Sequence, residues 1–326
     1  MTIFRYSIDR WPLIQPFRFA GFTITDLDCV HVRLKRGSAS GQGEGVLPVV
    51  FDVTVQDVQR QLAGVAEALA QGGEIDKLCA ALQPGPARNA LDCALWDLRA
   101  KETGQDIWQL AGLSPVAHRL EVDETIGLGT PAEMGAAAKA SAHRVLKIKL
   151  DGSQVPDRIR AIRAARPEAE LIVDANQSWT VELLAEVGAD LAGLGVRMIE
   201  QPLPRGKDAA LRGLSCPVPI FADESCHVAA DVAALCGLYQ GVNIKLDKTG
   251  GLTEALALRD AARAQGYGVM VGCMVGSSLA MAPAVLVAQG ADYVDLDGPL
   301  LLAEDRAVPL CYDDAGVHPP EPALWG

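Results

Sequence analysis

The sequence predicts an α/β chain: a (β/α)8 barrel of the TIM type, preceded by an α+β capping domain. Three observations predict it. An apolar run ends in one charged residue five times in succession, at Lys149, Asp174, Glu200, Asp223 and Lys245. The spacings are 25 (149 to 174), 26 (174 to 200), 23 (200 to 223) and 22 (223 to 245) residues, close to what a strand plus a returning helix needs. Residues 1–112 lack this rhythm. A parallel strand covered on both faces reads as a continuous apolar run, and in such a barrel the strand C-termini carry the chemistry.

Length and composition agree. The 326 residues exceed one ordinary core and suit a cap at 1–112 and a barrel at 113–307, with about 308–326 running back across the cap. Hydrophobic residues make up 49% of the chain, enough for a large core. No apolar run reaches the ~18 residues of a membrane span. The start, Met1-Thr2-Ile3-Phe4-Arg5, does not read as a secretory signal. The 8 cysteines include no Cys-x-x-Cys pair and read as reduced thiols of a cytoplasmic protein. A net charge of −12 without a basic stripe argues against nucleic acid and anionic membranes as partners. Homo-oligomerisation is left open.

Taken in order, residues 24–35 alternate, with Cys29, His31, Arg33 and Lys35 opposite Val30, Val32 and Leu34. That is a half-exposed antiparallel strand, and residues 3–13 can pair with it as a hairpin. Residues 16–23 then read as a mobile tip, and the glycine-rich 41–45 as a flexible loop. Helical periodicity covers 55–70 through Val58, Leu62, Val65 and Leu69. A second helix covers 87–100, after the breaker Pro84-Gly85-Pro86. The barrel opens with a strand at 122–126. Thr130, Pro131 and Glu133 then form a helix start, with Thr130 as N-cap. Strands two to eight fall at 145–149, 171–174, 197–200, 219–223, 242–245, 269–272 and 293–297.

Three strand-end carboxylates, Asp174, Glu200 and Asp223, repel one another unless a cation sits among them. An all-oxygen set suits Mg²⁺ or Mn²⁺. The plainer alternative is three unrelated acids that cap the following helices. Lys147 and Lys149 share one strand face by the period of two. Neighbouring ammonium groups and burial both lower a lysine's pKa, which suits it to remove a proton from carbon. Lys245 lies four strands on from Lys149, the opposite side of an eight-stranded ring, so the two can serve opposite faces of a planar intermediate. Asp295 and Asp297 also share a face and suit a cation such as a substrate amine. A helix cap or a bridge to a nearby lysine would explain them equally.

These residues resemble the enolase superfamily, muconate lactonizing enzyme subgroup. The resemblance is carried by Lys147-Ile148-Lys149, Val173-Asp174-Ala175-Asn176, Ile199-Glu200-Gln201-Pro202, Ala222-Asp223-Glu224-Ser225 and Asn243-Ile244-Lys245. The helix Ala87 to Leu98 is similar to that family's capping domain, so the resemblance covers nearly the whole chain. Asp295-Leu296-Asp297 resembles the Asp-x-Asp motif of dipeptide epimerases, where the acid pair holds the free α-amine. Cys273 and Met274 fall in a stretch similar to their seventh-strand loop. The resemblance implies Mg²⁺ on Asp174, Glu200 and Asp223, Lys149 and Lys245 as acid/base residues, and Lys147 in support of Lys149. It implies epimerisation of the C-terminal residue of a dipeptide.

One departure concerns the substrate. Members similar to L-Ala-D/L-Glu epimerase carry an arginine in the first capping loop. Alignment on Pro16-Phe17 places Phe22 there, with Arg18 nearby, which favours a neutral or apolar side chain. Rival activities on the same fold are N-acylamino acid racemase, o-succinylbenzoate synthase and cycloisomerase. Asp295 and Asp297 favour a substrate with a free amine, which those lack. A sugar-acid dehydratase would use a barrel histidine, and His227 lies beyond its strand. A non-catalytic binding barrel would need no full set of acids and lysines.

Overall fold

The computed structural model describes residues 2–114, 119–313 and 316–326. The chain opens with an antiparallel meander of β1 (Thr2–Phe19), β2 (Phe22–Arg36) and β3 (Ala39–Val46). Four helices follow: α1 (Val55–Ala70), α2 (Ile75–Ala81), α3 (Pro86–Thr103) and α4 (Ile107–Leu110). The helix expected at 55–70 has those bounds, and the Thr54 hydroxyl caps it. The hairpin runs further than expected. Residues 16–23 carry ladder pairs (Phe17 with Ile24, Arg18 with Thr23, Phe19 with Phe22) beyond an irregularity after Pro12.

The glycine-rich stretch is a strand, not a loop. Gly41, Gly43 and Gly45 point one face of β3 at α3, where an added Cβ would lie 2.1–2.3 Å from the carbonyls of Ala94, Ala90 and Pro86. The glycines are there for close approach, which composition alone reads as flexibility.

The short β4 (Leu120–Glu121) leads into the barrel. Its strands are β5 (Glu124–Ile126), β6 (Val145–Lys149), β7 (Glu170–Asp174), β8 (Val196–Glu200), β9 (Ile220–Ala222), β10 (Gly241–Ile244), β11 (Gly268–Val271) and β12 (Tyr293–Val294). They form one parallel sheet in sequence order. Asp123 N–H donates to Val294 O at 2.9 Å and joins its two ends. The crossovers contain α5 (Pro131–Ala140), α6 (Val155–Ala165), α7 (Val181–Gly193), α8 (Leu246–Thr249), α9 (Leu252–Ala264) and α10 (Ser278–Val287). The Thr130–Glu133 capping box is present on α5.

Two crossovers correct the expected alternation. The returns after β8 and β9 hold only 3-10 segments, Asp208–Leu211 and Ala229–Leu235. These are the two shortest spacings, and Pro202, Pro204, Gly206, Gly213, Pro217 and Pro219 interrupt the first of them. Such residues remove helix donors or favour turns. The eighth strand is also shorter than expected, so Asp295 and Asp297 stand just beyond it.

β13 (Tyr312–Asp313) and β14 (Gly316–Val317) pair with β4. Within 308–326, residues 314 and 315 lie outside the described residues. Trp325 Nε1 donates to Cys93 O at 3.0 Å and Gly326 N–H to Asp97 Oδ1 at 2.8 Å, so the chain end contacts α3. Among the described residues no helix is long and apolar enough to cross a membrane.

Candidate active site

The period of two builds the site in layers. Val145, Ile172, Met198, Phe221, Met270 and Tyr293 form an apolar cluster of their own. Two positions further along those same strands lie Lys147, Asp174, Glu200, Asp223, Gly272 and Asp295. An apolar floor thus lies under a charged layer. The Phe221 ring needs Gly241 and Gly268, where a Cβ would come within 2.4 and 2.5 Å of it.

In the charged layer each acid meets an ammonium. Lys149 Nζ donates to Asp174 Oδ2 at 2.6 Å and Lys245 Nζ to Asp223 Oδ2 at 2.7 Å. Lys147 Nζ lies 2.9 Å from Glu200 Oε2, 3.4 Å from Asp174 Oδ2 and 2.5 Å from Asp295 Oδ2. The three acids are at most 2% exposed. Asn243 Nδ2 donates to Glu200 Oε1 at 2.6 Å. Glu200 Oε2 and Asp223 Oδ1 accept no hydrogen bond of good geometry, although each faces an ammonium.

Charge at this layer is unbalanced. Seven buried carboxyl groups (Asp123, Asp174, Glu200, Asp223, Glu224, Asp295, Asp297) share four buried lysines (147, 149, 245, 248). Burial and then the Asp174 charge push Glu200 up to about 7. Burial and then Asp223 push Glu224 up to about 8. Burial and then Asp295 push Asp297 up to about 6. Asp223 is held well below its usual range, because Lys245 and Lys248 outweigh burial. The lysines correct an expectation. Burial alone would lower Lys147 and Lys245, but Asp295 and Glu200 around the first, and Asp223 and Glu200 around the second, raise both. Carboxylates, not neighbouring ammonium groups, set their charge.

The acid pair of the eighth strand is split between two partners. Asp295 bridges to Lys147, as above, and Asp297 Oδ2 accepts Thr125 N–H at 2.9 Å. Cys273 Sγ and one oxygen of each acid lie within 4.8 Å of one another, the one such cluster of three metal-type ligand groups among the described residues. Cys273 and Met274 line a pocket with Lys149, Lys245, Asp223 and Glu224. Arg18 and Phe22 do not. Arg18 lines a neighbouring cavity, and Phe22 is 41% exposed and stacks on Phe19. Phe17, Phe19, Ile24 and Leu27 line the pocket instead, with Val46, Leu47, Val49 and Val50. The hairpin twist that brings them in is not legible from spacing.

Three further groups escaped the sequence reading. Lys248 Nζ, fully buried, donates to the carbonyls of Asp223, Cys226 and Asn243 and faces Asp223 Oδ1 at 2.6 Å. Its signal is the one-turn spacing from Lys245. Asp123 is buried with both carboxylate oxygens unpartnered. Gln201, at φ 34, follows Glu200, and Asn176 (φ 41) and Gln177 (φ 64) follow Asp174 closely. These left-handed residues carry strain that surrounding bonds must hold. For Gln201, Oε1 accepts from the N–H groups of Asp223 and Ser225, while Nε2 donates to Leu203 O and Tyr239 Oη.

With this geometry in place, comparison with known proteins gives the class. Residues 2–112 match the mandelate racemase / muconate lactonizing enzyme N-terminal domain, and residues 130–320 match the enolase C-terminal domain-like family. The chain belongs to the enolase superfamily, in its muconate lactonizing branch. It is 42% identical to an L-Ala-D/L-Glu epimerase of Escherichia coli, over 95% of this chain and 97% of that protein. It is 42% identical to an N-acetyl-D-glutamate racemase of a Pseudoalteromonas species, over 88% and 91%. A solved enolase family member of Agrobacterium tumefaciens, with homology to dipeptide epimerases and with sodium and L-Ala-L-Glu bound, superposes with a TM-score of 0.95. It is 43% identical over all of both chains.

Proposed function

We propose that the chain is a dipeptide epimerase, an isomerase that inverts the α-carbon of the C-terminal residue of a dipeptide by 1,1-proton transfer. The observation that carries this is a juxtaposition. Lys149 and Lys245 are each buried against a strand-end carboxylate, and the Asp295–Asp297 pair stands at the same barrel mouth. The epimerase named for L-Ala-D/L-Glu and the complex with L-Ala-L-Glu support a dipeptide substrate.

The donor set fits Mg²⁺ or Mn²⁺: three hard carboxylates on consecutive strands, two with oxygens lacking a good hydrogen bond, in a layer with surplus negative charge. Asp174, Glu200 and Asp223 would hold the ion, which when bound stabilises the negative charge that develops on the substrate carboxylate. Lys149 and Lys245, relieved of those acids, handle the α-proton. One takes it, the electron pair of the broken C–H bond moves into the carboxylate, and the other returns a proton to the opposite face. Lys147 keeps its bridge to Asp295. Asp295 and Asp297 pair with the substrate α-ammonium, and the buried site excludes water from the carbanion-like stage.

The pocket lining supports a neutral or apolar side chain at the inverted residue. Phe17, Phe19, Ile24, Leu47 and Val50 line it, and its cations are Lys149 and Lys245. Burying such a side chain gains roughly 1.5–3 kcal/mol. The test is kcat/KM for L-Ala-L-Leu against L-Ala-L-Glu, with Phe22→Arg beside wild type. We expect the leucine dipeptide to lead by about tenfold or more in wild type, and Phe22→Arg to narrow the gap. A glutamate preference that Phe22→Arg leaves unchanged contradicts the apolar reading.

The second reading is N-acylamino acid racemase, favoured by the Pseudoalteromonas relative. Turnover of N-acetyl-L-glutamate with none of any dipeptide would establish it in place of the first.

A further inference from the structure

We propose that the cavity beside β5 receives the side chain of the dipeptide's N-terminal residue and fits a bulky, uncharged one. The inference rests on the dipeptide reading above and deepens it. The pocket over Lys149 and Lys245 holds about 90 Å³, far below the ~300–1,000 Å³ of sites that enclose small ligands. A dipeptide whose C-terminal residue reacts there must place its other residue elsewhere.

A cavity of about 470 Å³ lies next door. Phe17 lines both spaces. Cys273 lines the first and stands within 4.8 Å of Asp297, which lines the second. Asp297 therefore sits at the boundary, fixed by Thr125 N–H. An α-ammonium held by the acid pair sits there too. The α-carbon is one bond away, and its substituent finds the larger space.

The walls choose the substituent. Ile126, Leu128, Met134 and Leu300 offer apolar surface. Leu300 is 43% exposed, a large apolar side chain with little cover at the rim. The acids of the lining have partners. Glu124 is bound by His143 Nδ1 at 2.9 Å and by the Ser141 hydroxyl, and Glu133 by Thr130 N–H at 2.8 Å. Arg18 stands opposite Glu133. A charged side chain would meet engaged acids on one side and an arginine on the other. An apolar one covers Leu300 and its neighbours.

The experiment varies only the N-terminal residue, in the series L-Ala, L-Met and L-Leu before a fixed C-terminal L-Leu or L-Glu. It compares wild type with Ala137→Phe, a change at an exposed helical position that lines the cavity. The expected result is kcat/KM for the Met and Leu series within about tenfold of the Ala series or above it in wild type. Ala137→Phe should lower the bulky series by roughly tenfold or more and leave the Ala series within about twofold, since a few methylenes in a pocket discriminate on that scale. Rejection of N-terminal Leu by about a hundredfold in wild type, or an equal loss in both series in Ala137→Phe, would overturn the pocket while leaving the epimerase reading intact. Inactivity toward every dipeptide overturns both.

Discussion

Lys149 and Lys245 make the sharpest claims at the scale of single residues. Each is proposed to serve one face of the substrate. Lys149→Ala and Lys245→Ala should each lower epimerisation by about 10²–10⁴-fold or more, while each variant still exchanges the α-proton of one diastereomer with D₂O. Mass spectrometry of recovered substrate reads both. A variant that epimerises at the normal rate removes the two-base scheme. The charged strand ends were legible in the sequence because a period of two and an apolar run leave a terminal charge nowhere to go but the barrel mouth. Lys248 was not, because a lysine one turn past a strand also reads as a solvated helix residue. Only the three carbonyls converging on its Nζ reveal a buried strut. The lysine charge was also misread, because the acids that surround Lys147 come from three other strands.

At the scale of elements, β3 matters most. Its glycines seat it on α3, and Glu44, fully buried, leaves the cap to accept Ser277 N–H at 3.0 Å, Ser277 Oγ at 2.6 Å and Arg306 Nε at 3.1 Å. Ser277 caps α10 and ends the 273–277 segment beside the pocket. Asp247 answers from the barrel, accepting Val46 N–H at 2.8 Å and Asn89 Nδ2 at 2.7 Å. Glu44→Gln should cost roughly 1–3 kcal/mol of stability, read by urea denaturation, and should speed amide exchange at 273–277. Unchanged exchange there would mean that Glu44 does not hold the loop. A second test concerns pH. Glu124 raises His143 above 6.5, and His143 lowers Glu124 below 4.5. The histidine's contribution is complete below about 6.5 and fades as pH rises through its higher folded value. The glutamate's is complete above about 4.5 and fades as pH falls. The stability gap between wild type and His143→Gln should therefore be larger near pH 5.5 than near pH 8.5. A gap that is flat or grows with pH contradicts the pair. The (β/α) alternation was readable from apolar runs, but composition could not separate a strand packed through glycine from a loop. Nor could spacing tell a 3-10 return from an α-helical one.

For the whole molecule, the cap roofs the site with apolar residues from β1, β2 and the segment after β3, and the barrel supplies charge from its strand ends. The tail that ends in Leu324 and Trp325 packs on the cap through Gln42 and Cys93. Fold and charged layer followed from local rules. The pocket wall did not, because it depends on how a hairpin crosses a barrel mouth. The account makes function conditional on a divalent cation among the three acids. The most direct test incubates an L,L-dipeptide with the protein in D₂O, before and after chelation, and follows deuterium and diastereomer together. The predicted result is one deuterium at the α-carbon of the C-terminal residue, with formation of the L,D product, abolished by chelation and restored by Mg²⁺. Full activity in the chelated protein, or deuterium at the N-terminal residue instead, would contradict the account.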